Sequence, residues 1–104
     1  MTKIRNLEGP IIENDLNTKF LVCFLHGWGS DGNDLIQIGE LWKSQLQNAL
    51  LISPNAPEAC EGTPSGRQWF DILSNNEEKT LKGLHNSYLD LKNFLDFYLK
   101  YILK

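Results

Sequence analysis

The sequence predicts an α/β fold in which a mostly parallel sheet is covered by helices, and three observations predict it. Phe20 to Leu25 is a continuous apolar run rich in strand formers, the pattern of a strand buried on both faces. Leu35, Ile36, Ile38, Leu41, Trp42 and Leu46 recur at helical offsets, which marks an amphipathic helix over Asp34 to Gln47. Ala49 to Ile52 is a second short apolar run. Strand, helix and strand thus follow within roughly thirty residues, the length of a right-handed βαβ unit.

The remaining elements fall around this unit. Ile11 and Ile12 between polar residues give a weak strand signal, and Asn14 to Lys19 reads as a turn. The apolar run ends at His26, and Gly27, Gly29 and Gly32 follow within six residues. Such a cluster implies unusual backbone angles or close approach of the backbone to another group. Asn33 or Asp31 is placed to cap the helix that follows. Gly39 inside that helix costs about 1 kcal/mol relative to alanine. Pro54-Asn55-Ala56-Pro57 stops the second strand, and an irregular stretch is expected from there to Phe70. Leu81, Leu84, Tyr88, Leu91, Leu95, Tyr98 and Ile102 then step by three and four, which predicts a helix with one apolar stripe. Ser74 with Glu77 fits a capping box at its start.

Composition narrows the function classes. The chain has 104 residues, enough for one small domain or part of a larger one. Ten Lys and Arg against thirteen Asp and Glu give a net charge of −3, with the cations scattered. That argues against a nucleic-acid surface. No apolar run approaches the roughly twenty residues that span a bilayer, and no signal peptide is read. Cys23 and Cys60 form no metal-like pair, and Cys23 reads as a buried thiol. No metal or organic cofactor is implied, and a cytoplasmic location is expected.

A strand that ends in a glycine-rich loop and a helix is a common ligand site. Gly27, Gly29 and Gly32 match the spacing of a dinucleotide fingerprint. However, bulky Trp28 stands where a pyrophosphate would approach the backbone. Ser53 and Pro54 follow the second strand where a ribose-binding carboxylate belongs. A P-loop is absent from the sequence.

His26-Gly27-Trp28-Gly29-Ser30-Asp31-Gly32-Asn33 instead resembles the oxyanion loop of the phospholipase/carboxylesterase family, which includes the acyl-protein thioesterases. Pro54-Asn55-Ala56-Pro57 and Trp69-Phe70-Asp71 resemble two further motifs of that family, in the same order and at similar spacing. The resemblance covers residues 9–104 and implies an incomplete α/β-hydrolase fold with three αβα layers and a mostly parallel sheet. It implies that the Trp28 main-chain N–H donates to the carbonyl oxygen as charge develops there. By the same resemblance His26, with Gly27 and Gly29, shapes the loop and is not the catalytic base. Trp69 either borders the acyl or leaving-group site or packs beneath the loop. Arg67 is a contact for a polar head group. Asp31, Asn33 and Asp71 are structural.

The nucleophile elbow G-x-S-x-G is absent: none of Ser30, Ser44, Ser53, Ser65, Ser74 and Ser87 has both glycines. In the family the triad runs Ser, Asp, His and follows the helix that resembles residues 77–104. The expectation is therefore that 1–104 is the N-terminal portion of a single hydrolase domain, truncated before the elbow. A second polypeptide is expected to carry the C-terminal half. The implied function is hydrolysis of a small-molecule carboxylic ester or thioester once the fold is completed, and inactivity of this chain alone. The alternative is a non-catalytic remnant that serves as a binding or interaction domain.

Overall fold

The computed structural model describes residues 3–13 and 17–102; the first part of the turn expected at 14–19 lies outside them. The elements are β1 (Ile11–Ile12), β2 (Phe20–Cys23), α1 (Gly32–Trp42), β3 (Ala49–Ile52), β4 (Glu58–Cys60), β5 (Thr63–Gln68) and α2 (Glu77–Ile102). The first three strands form a sheet in the order β1-β3-β2, with β2 parallel and β1 antiparallel to β3.

All four residues of β3 are buried, because it is the central strand and its side chains alternate between two apolar clusters. Leu50 and Ile52 pack with Leu7 and Phe94, and with Leu91, Leu95 and Tyr98 along α2. Ala49 and Leu51 pack with Phe24 and with Leu35, Ile36 and Ile38 of α1. Gly39 is what lets α1 lie so close. A Cβ there would come within 3.1–3.3 Å of Ile12, Leu51 and Phe24, so the lost helix propensity is exchanged for close packing.

The expected three-layer αβα architecture with a mostly parallel sheet is corrected by this arrangement. The described residues form two helices and two small sheets, one mixed and one antiparallel. The second sheet is the β4-β5 hairpin, where an irregular stretch was expected. Gly62, at φ +77°, makes the turn that joins Cys60 to Thr63. The strand expected to be buried on both faces is also displaced. β2 lies at the sheet edge, with Phe20 62% exposed and Cys23 only half-buried, and it is β3 that is enclosed.

The helix ends differ from expectation for local reasons. Asp31 caps α1 by accepting from the Asp34 N–H at 2.8 Å, so the helix starts at Gly32 and closes at Trp42, before Gln47. Asn76, not Ser74, caps α2 by accepting from the Lys79 N–H at 3.1 Å. Ser74 instead accepts from the Asn76 N–H. Only the later part of the α2 stripe meets the sheet; Leu81, Leu84 and Tyr88 stay exposed. A helix of 26 residues outruns a strand of four, at about 39 Å against about 13 Å. No described helix is long and apolar enough to cross a membrane. No group of His, Cys, Asp and Glu among the described residues could hold a metal ion.

The N-terminal segment is fastened to α2 by charge. The Arg5 guanidinium meets the buried Asp90 carboxylate at 2.8 Å and Glu58 of β4 at 3.1 Å, and the Arg5 N–H also donates to Asp90. Burial pushes the Cys23 thiol up to about 11. The native state therefore holds this proton more tightly than an unfolded chain, whose thiols titrate near about 8.5. That contribution to stability is fully present below about pH 8.5 and is lost as pH rises toward 11. Urea unfolding across this interval is expected to show falling stability, with a shallower fall in Cys23→Ala.

Candidate oxyanion-loop site

The site forms at the carboxyl ends of β2 and β3, where two loops meet. β2 continues through Phe24 and Leu25 to His26, and the chain then turns through Gly27, Trp28 and Gly29. Gly29 sits at φ +84°, a region that disfavours side chains. The Ser30 N–H donates to the Gly27 carbonyl at 3.2 Å and closes the turn.

Three groups from the loop after β3 hold this turn. His26 is 3% exposed. Its Nε2 accepts from the Ala56 N–H at 3.0 Å, and its Nδ1 lies 2.8 Å from the Gly27 carbonyl. An acceptor at Nε2 and a carbonyl at Nδ1 place the proton on Nδ1, so the imidazole is neutral and bridges the two loops. The Asn55 side-chain oxygen accepts from the Gly32 N–H at 2.7 Å. The Ser53 hydroxyl donates to the Gly32 carbonyl at 2.9 Å. A Cβ on Gly32 would sit 2.1 Å from the Ser53 carbonyl oxygen, so only glycine fits.

β5 supplies the other wall. The Gly29 N–H donates to the Arg67 carbonyl at 3.0 Å, and the Arg67 N–H donates to the Ser30 carbonyl at 2.9 Å. Gly66 allows this approach, since a Cβ there would lie 2.7 Å from the Gly29 oxygen. The Trp69 indole donates to the His26 carbonyl at 2.8 Å, and its ring lies 5.4 Å from the imidazole. The Trp28 indole donates to Gln68 Oε1 at 3.0 Å. Arg67 Nε donates to the Ala56 carbonyl at 2.9 Å, and its side chain borders a polar cavity of about 430 Å³ with Arg5, Glu8, Asn33 and Asn55.

The fold thus gathers His26, Gly27, Trp28, Gly29, Asp31, Arg67 and Trp69 in and around one pinned loop. Asn33 stands in the first turn of α1. Asp71 makes a local bond, accepting from the Leu73 N–H at 3.0 Å. The sequence assigns Gln68 no role, names Ser53 only as the end of the second strand, and offers Asn55 only as part of the Pro54-Asn55-Ala56-Pro57 motif. Asn55, between two prolines, and Gly66, just before Arg67, are the signals that could have found this cradle.

The Trp28 main-chain N–H has no hydrogen-bond partner among the described residues. It can donate to an oxygen that enters the site. Among the described residues no serine hydroxyl is hydrogen-bonded to a histidine. Ser53 bonds to Gly32, Ser87 to the Trp69 carbonyl and Ser30 to Asp34, while His26 Nε2 is occupied by Ala56. His26→Phe keeps a ring against Trp69 but leaves the Ala56 N–H without an acceptor. It is expected to lower stability in urea by about 2 kcal/mol, with faster amide exchange at Gly29 and Gly32 than at Leu51.

Residues 8–104 match the family described as Phospholipase/Carboxylesterase. The crystal structure of esterase PE8 is similar, with a TM-score of 0.78 and 34% sequence identity, over 92% of this chain and 46% of the esterase chain. The chain thus spans about half the length of that esterase. The matches also correct two expectations. An α/β-hydrolase-like domain runs through nearly the whole 104-residue chain, so the reading of an N-terminal half only is not kept. A second polypeptide carrying a C-terminal half is set aside for the same reason.

Proposed function

Because the chain belongs to the phospholipase/carboxylesterase family, we propose that its glycine-rich loop binds the carbonyl oxygen of a carboxylic ester or thioester. The observation that carries this reading is the Trp28 N–H, which has no partner among the described residues, on a loop fixed from three sides. Addition to an ester carbonyl moves negative charge onto its oxygen. A donor already aimed at that position costs no reorganisation and is worth roughly 3 kcal/mol in such reactions. Esterase PE8, at 34% identity, supports the ester class.

In this reading Trp28 is the oxyanion donor, and His26, Gly27 and Gly29 hold its N–H in place. His26 is not a general base, because its only unprotonated nitrogen already accepts from Ala56. Trp69 borders the acyl side and Arg67 the polar side. The absence of G-x-S-x-G from this sequence favours a second reading, in which the chain binds an ester or acyl group without cleaving it.

Two measurements test these readings. Titration of the ¹⁵N-labelled chain with an alkyl phosphonate monoester, whose oxygens mimic the tetrahedral oxyanion, should shift the Trp28 amide more than any other. Equal or larger shifts at amides remote from residues 26–33 would contradict the oxyanion role. Incubation with a fluorophosphonate should leave the mass of the chain unchanged. A stoichiometric adduct would show an activated serine and refute binding without cleavage.

A further inference from the structure

Gln68 is an almost fully buried polar residue that the oxyanion reading leaves without a task. It lies on β5, directly opposite Glu58 of β4 in the antiparallel register. Its Oε1 accepts from the Trp28 indole N–H at 3.0 Å. Its Nε2 faces the Ala59 carbonyl at 3.3 Å and Glu58 Oε1 at 3.4 Å. These partners fix which way the amide points. Reversed, its NH₂ would meet the indole N–H and its oxygen would meet two acceptors.

The contacts continue beyond Gln68. Glu58 Oε2 meets Arg5 at 3.1 Å, and Arg5 meets the buried Asp90 of α2 at 2.8 Å. A chain of polar groups therefore runs from the Trp28 ring through Gln68, Glu58 and Arg5 to the longest helix. The indole needs such an anchor because Trp28 is 42% exposed and packing alone does not hold it.

We propose that Gln68 is a positioning residue for the Trp28 loop. Its amide holds the indole in one orientation, so the ring stands as a fixed wall beside the Trp28 main-chain N–H, and the Glu58–Arg5–Asp90 pairs keep the amide itself in place. This inference rests on the proposed carbonyl-binding role of the loop for its catalytic meaning. The orientation of the ring can be tested apart from that role.

The test is hydrogen exchange at the indole N–H groups, followed by NMR. Trp28 and Trp42 have nearly equal exposure, 42% and 47%, but Trp42 has no indole hydrogen bond among the described residues. In the wild-type chain the Trp28 indole proton should exchange roughly tenfold more slowly than that of Trp42. In Gln68→Met it should exchange as fast as Trp42, while the Trp69 indole, bonded to His26, keeps its rate. Equal rates for Trp28 and Trp42 in the wild type would overturn the proposal, even if Gln68→Met did not fold. So would an unchanged Trp28 rate in the variant, or equal acceleration at Trp69. The phosphonate titration reads the Trp28 amide, not its ring, so failure of the carbonyl-binding reading would show there and leave this result standing.

Discussion

The polar clamp between the loop after β2 and the loop after β3 is the constraint on which the site depends. Three bonds form it: Ala56 N–H to His26, Gly32 N–H to Asn55, and the Ser53 hydroxyl to the Gly32 carbonyl. Each bond satisfies a backbone group that would otherwise be left to water: the Ala56 N–H in the loop after β3, and the Gly32 N–H and carbonyl in the glycine-rich turn. Burying such groups without partners costs about 1–3 kcal/mol each. The clamp therefore serves stability and geometry together, since the bonds that satisfy the turn also fix the direction of its free N–H. His26 contributes because a neutral imidazole can accept on one side and donate on the other.

The clamp needs a rigid base, and β3 provides it. Among the described residues it is the one strand with neighbours on both edges and apolar clusters on both faces. β2 lies beside it in parallel register, so the two strands end together and their loops meet above the sheet. The β4-β5 hairpin then closes the site from the side, through the paired bonds between Arg67 and the Gly29-Ser30 turn. Arg5 links that hairpin to α2. Sheet, hairpin and helix thus each contribute one support to the same turn.

The elements with strong periodicity were legible in the sequence, and those set by tertiary contacts were not. Ala49 to Ile52 and Phe20 to Leu25 look alike as apolar runs, yet one is central and the other an edge. Nothing in four to six apolar residues states how many neighbours a strand has. The hairpin does not show in the sequence because glycine and proline, here Gly62, Pro64 and Gly66, ordinarily interrupt strands, whereas Gly66 serves the approach to Gly29. Ser74 and Asn76 are both good cap residues, and only the chain path makes Asn76, two residues later, the cap of α2. In the candidate site, the glycines stand out by their close spacing, and Trp28 is singled out only through the family resemblance. The contacts of Ser53, Asn55 and Gln68 do not show in the sequence, even with Asn55 inside a family-like motif, since their partners lie twenty to forty residues away.

The account stands on the claim that the loop is held rigid before any ligand arrives. Backbone ¹⁵N order parameters across residues 26–33 of the free chain measure this directly. If the clamp acts as described, these residues match β3, with values near about 0.85. Values below about 0.6 from Gly27 to Ser30 would mean that the bonds do not order the turn, and that the Trp28 N–H is not aimed in advance at an incoming oxygen.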